Sequence, residues 1–69
     1  MRTSLLDDAG ATLRRITDLL PALQEALREA EAAPPGPRHA AETRHLHTLT
    51  VQLRSEAHGL ATYAGAAVL

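Results

Sequence analysis

The 69-residue chain has no cysteine, no tryptophan and no phenylalanine, and Tyr63 is its only aromatic side chain. Without cysteine there is neither a disulfide nor a thiolate metal site to hold so short a chain together. Without large aromatic side chains a single small core has little area to bury, and domains of this size ordinarily need a disulfide, a metal or another chain. Association is the route that remains. Charge of one sign is lacking as well: seven Lys or Arg stand against eight Asp or Glu, so no general field draws the chain to nucleic acid or to an anionic membrane. Long hydrophobic runs are also absent. Only Leu5 and Leu6 separate Ser4 from Asp7, too few for a signal-peptide core, and nothing approaches the ~20 apolar residues that span a bilayer. The expectation is a cytoplasmic protein, with a leaderless export route left open.

What is present is helical periodicity. Leu13, Ile16, Leu20, Leu23, Leu27 and Ala30 recur at steps of three and four, which places them on one face of an α-helix, with Leu19 and Ala26 widening it. Ser4 followed by Asp7 has the form of a capping box, and Asp8 is a rival N-cap with Gly10 just beyond it. Helix 1 therefore starts at Leu5 or near Asp8. The longer version keeps the heptad phase from Leu6 to Ala30. Pro21 lacks the amide that Thr17 needs, and the rival to a continuous helix bent there is a new helix capped by Asp18. The three-residue step from Leu20 to Leu23 crosses the proline in register, which favours continuity.

Pro34, Pro35, Gly36 and Pro37 end helix 1 and make a short corner, so the two helices are antiparallel neighbours. Helix 2 is expected over about 38–66, after a helix 1 of about 5–33 and a turn at 34–37. Its apolar positions Leu46, Leu49, Leu53, Ala57, Leu60, Ala64 and Val68 follow an eleven-residue pattern. Two helices of unequal period would form an irregular hairpin. After Glu56 no formally charged side chain occurs, and Ala57, Ala61 and Gly65 make a small-residue strip that could pack closely on helix 1 near Leu6, Ala9 and Leu13, or on a second copy.

Little in the chain suggests chemistry. His45 and His47 point to opposite sides of a helix, whereas a zinc pair wants a four-residue spacing, and no HExxH arrangement occurs. Glu25 and Glu29 read as a solubilising flank, and no Ser or Thr stands in an identifiable relay with a histidine and an acid. Catalytic residues, metal ligands and cofactors are therefore all expected to be none. The reading is an all-α antiparallel two-helix hairpin, completed into a four-helix bundle by self-association or docked on a larger protein. It is expected to be a small non-enzymatic interaction subunit that binds through Leu13, Ile16, Leu20, Leu23, Leu27, Leu46, Leu49, Leu53 and Leu60, with no nucleic acid and no membrane span. Arg44, His47, Arg54 and His58 form a secondary, weakly basic surface. The alternative is a regulatory module of antitoxin or anti-regulator type whose helices occupy a groove on an enzyme.

Overall fold

The computed structural model describes residues 3–68, which form two helices, α1 (Thr3–Ala32) and α2 (Pro37–Val68). Met1, Arg2 and Leu69 lie outside the described residues, and Leu69 takes with it the last position of the apolar C-terminal run. The helices are antiparallel: Arg15 of α1 reaches Glu56 of α2, and Glu29, further along α1, pairs with Arg38 at the start of α2. The hairpin is long and thin, 51 × 15 × 13 Å between Cα extremes.

α1 begins ahead of both starts considered from the sequence, so Leu5 and Ala9 join the seam. Asp8 and Asp18 are interior residues and cap nothing, the first because the helix already begins at Thr3 and the second because it is unbroken through Pro21. Pro21 shares an exposed outer row with Asp7, Arg14 and Arg28, on the side away from α2. The carbonyl of Thr17, left without its helical donor, therefore lies on an exposed stretch where water can serve it.

The corner is built from residues with the required backbone properties. Gly36 has φ +143°, where a side chain would be strained, and Pro37 takes the first position of α2, where its missing amide has no intrahelical use. The Gly36 carbonyl accepts the Ala40 amide at 3.1 Å, and the Ala33 amide donates to the Glu29 carbonyl at 3.0 Å. His39 Nδ1 donates to the Ala30 carbonyl at 3.0 Å, which satisfies one of the last carbonyls of α1 from across the corner.

The seam runs along α1 through Leu5, Ala9, Thr12, Ile16, Leu19, Leu23, Ala26 and Ala30 and on to Ala33 just past its end, with steps of four and three throughout. Leu19 is the one large apolar side chain that is buried among the described residues; the rest of the buried core is alanine and Thr12. On α2 the covering positions are Glu42, Leu46, Leu49, Leu53, Glu56, Leu60 and Tyr63, all half-buried and also spaced by four and three.

Two expectations are corrected here. The apolar pattern of helix 2 through Ala57, Ala64 and Val68 is not the packed one, since all three are exposed. A seven-residue rhythm on both helices lets them mesh over their full length, and a glutamate is accepted in that rhythm because Arg15 can reach it. The strip of Ala57, Ala61 and Gly65 is likewise exposed, and a Cβ placed on Gly65 would meet nothing within 4 Å, so the strip does not pack on α1.

Leu19→Ala should lower the unfolding free energy by ~2–3 kcal/mol, towards the low end for a buried leucine because α2 leaves its cover partly open. Pro21→Ala should raise it, by up to ~3 kcal/mol, by restoring a helical donor and removing the ring clash. Urea unfolding of both variants at one protein concentration checks the pair, and equal midpoints would contradict this assignment of the seam.

Candidate interaction surface

Three contacts fix the height of one helix against the other: Ala30 with His39, Glu29 with Arg38, and Arg15 with Glu56. Counting turns from them brings Leu23 level with Leu46, Ile16 with Leu53, and Thr12 with Glu56. At that last level the seam is polar. Arg15 stands beside it and bridges it, donating from Nε to Glu56 at 3.0 Å and from Nη2 to the Thr12 hydroxyl at 3.0 Å. Thr12 is only 1% exposed, so its hydroxyl needs a partner, and Arg15 supplies one. Among the described residues no buried side-chain polar atom is left without a hydrogen bond.

The two flanks of the seam differ in kind. One carries the ion pairs, with Arg15 and Glu29 of α1 beside Glu56 and Arg38 of α2. The other carries a row of leucines seven residues apart, Leu6, Leu13, Leu20 and Leu27, which are 62, 53, 48 and 47% exposed. Beside that row, on α2, run Ala64, Ala57, Thr50 and Thr43, also seven apart and all exposed. The register that joins Ala30 to His39 puts each leucine level with one of these small residues, Leu6 with Ala64 and Leu27 with Thr43 at the two ends. No charged side chain occurs in either row. The Thr50 hydroxyl donates to the Leu46 carbonyl at 2.9 Å, so its bond is satisfied within its own helix.

The candidate partner-binding residues are therefore divided. Ile16, Leu23, Leu46, Leu49, Leu53 and Leu60 face the other helix of the same chain, whereas Leu13, Leu20 and Leu27 are exposed together on one flank. Arg44, His47, Arg54 and His58 are all exposed on α2, with Val51 among them at 38%. Leu6 belongs to the exposed row, and its seven-residue distance from Leu13 is the signal that finds it. Thr12 and Glu56 were hidden by their polarity, although both fit the four-three spacing.

Glu25 and Arg28 pair on the outer face of α1. Glu25 accepts from Arg28 at 2.8 Å, and that hydrogen bond, with the arginine charge behind it, holds the Glu25 carboxyl below its ordinary range. A general acid at neutral pH needs a shift in the other direction. Among the described residues no group of three or more His, Asp or Glu is placed to hold a metal ion, and no helix is long and apolar enough to cross a membrane. No family model matches the chain, and no curated protein or solved structure matches it either.

The Arg15 and Glu56 side chains are 54% and 21% exposed, so solvent screens much of their attraction. A double-mutant cycle of Arg15→Ala and Glu56→Ala should give a coupling of about 0.5–1 kcal/mol. Denaturant unfolding of the four proteins measures it, and zero coupling would show that the pair does not join the helices in solution.

Proposed function

We propose that this chain is a small non-enzymatic protein–protein interaction module whose working surface is the exposed row Leu6, Leu13, Leu20 and Leu27. The observation that carries the reading is the row itself, four leucines each about half exposed or more on one uncharged flank. Scattered surface leucines are ordinary, but a contiguous apolar strip along a whole helix is what partner-binding surfaces present.

The surface area supports it. The chain exposes 5195 Å², whereas a compact monomer of 7.4 kDa exposes about 4,200 Å². Its radius of gyration is 15.8 Å against about 11 Å for a globular chain of this length. The hairpin thus carries roughly 1,000 Å² more surface than its size requires, and a stable complex buries about 800 Å² per partner. The ion pairs Arg15–Glu56 and Glu29–Arg38 on the other flank keep that side wet and leave the leucine flank as the side to cover.

A photo-crosslinking residue in place of Leu20, in the cells that make the protein, should give covalent adducts to protein, and the same residue in place of Arg28 on the outer row should not. Adducts at neither position, or equally at both, would overturn the reading.

A further inference from the structure

The leucine flank has a shape that a second copy of the same chain complements. It is a ridge beside a shelf: leucines on α1, Ala and Thr on α2, with equal seven-residue spacing and at matched heights. We infer that two copies pair through this flank about a two-fold axis parallel to the helices, the leucine ridge of each lying on the Ala/Thr shelf of the other, to form a four-helix bundle. The inference rests on the interaction reading above and names its partner.

A two-fold axis along the helices preserves height. Leu20 of one copy then comes over the other copy's Thr50, and Leu13 over its Ala57, with the same match at the two remaining levels. Every knob meets a small residue, which is the condition for close packing of helix on helix. At the Leu20 level the Thr50 hydroxyl is already bonded within α2, so covering it leaves that donor paired.

The adjoining rim agrees. The next row of α1 includes Thr17 and Gln24, which fall opposite the other copy's Arg54 and His47, so no like charges meet. A two-fold axis across the helices would instead set leucine on leucine along one edge and Ala or Thr on Ala or Thr along the other. That spacing is uneven, and it draws the two Arg54 side chains together near the axis. An unrelated partner would have no need of a shelf matched in period and height to the chain's own ridge.

The area is sufficient. A broad side 51 Å long and 15 Å wide between Cα extremes offers roughly 750 Å², close to the ~800 Å² each partner contributes to a stable interface. All four helices of the bundle would be antiparallel to their neighbours, with the ion pairs on its outer sides.

The full chain at tens of micromolar should show by light scattering twice its own 7.4 kDa mass, and Leu20→Glu should shift it to the single mass. Because a charge at Leu20 can also cost helix, a second measurement uses the absence of native cysteine. Chains carrying Leu20→Cys mixed with chains carrying Thr50→Cys should form a disulfide-linked dimer under air oxidation, while Leu13→Cys mixed with Leu20→Cys should not. A single-chain mass for the helical unmodified protein, or retention of the dimer mass by Leu20→Glu, overturns self-pairing. Linkage of the Leu13→Cys and Leu20→Cys chains in preference to the first mixture overturns the parallel axis. If self-pairing fails while the photo-crosslink at Leu20 still captures a different protein, the interaction reading stands and the identity of its partner changes.

Discussion

The bridge from Arg15 to Thr12 and Glu56, together with the short corner and its His39 and Arg38 contacts, sets the register on which the rest of the arrangement depends. A seam of alanine, leucine and isoleucine is nearly translationally symmetric at a seven-residue step, so hydrophobic burial alone distinguishes poorly between one register and the next. The short corner and one polar layer break that degeneracy. Sliding α2 by one heptad would carry Glu56 opposite Leu5 or Leu19, a desolvation cost without a partner, and would bring Thr12 opposite Leu49 or Tyr63, away from the Glu56 and Arg15 pair. The net energy of the ion pair is small, and its importance lies in the alternatives it penalises. With the register set, the outer rows are set too, and the leucines come level with the small residues of α2.

Small side chains determine how the seam is filled. Ala26, Ala30 and Ala33 are buried where α1 approaches the corner, and Leu20 and Leu27, two of the larger residues on the same helix, are left outside. Two helices touch along a line, and alanine brings the axes closer than leucine does, so backbone and Cβ atoms gain contact that long side chains would hold apart. The consequence is a hairpin that packs its narrow side inward. The broad apolar side is left exposed.

Much of this arrangement was legible in the sequence. The proline-rich corner, the antiparallel course and the persistence of α1 across Pro21 follow from donors lost, a glycine at the turn and a phase that does not slip. The rotation of each helix about its own axis does not follow. Leu13, Ile16, Leu20, Leu23, Leu27 and Ala30 satisfy the same spacing as Thr12, Ile16, Leu19, Leu23, Ala26 and Ala30, one step round the helix, and hydrophobicity alone selects the first set. The structure turns the second towards the other helix. On α2 the same preference passes over Glu56 for Ala57, because the residue that makes a glutamate acceptable is on another helix, 41 positions away. A pattern within one helix shows how wide its apolar arc is; the partner helix decides which edge of that arc lies inward.

The corner makes the hairpin mechanically unequal along its length. Next to Gly36 the helices are held by the His39 bond to Ala30, the Glu29–Arg38 pair and three buried alanines, while at the far end Leu5 and Tyr63 are only half-covered. Opening a turn at the far end releases little buried area and strands no buried polar group until Thr12 is reached. Thermal breathing should therefore run inward from the termini like a zipper and stop at the polar layer, with amide exchange slowing in steps along the chain.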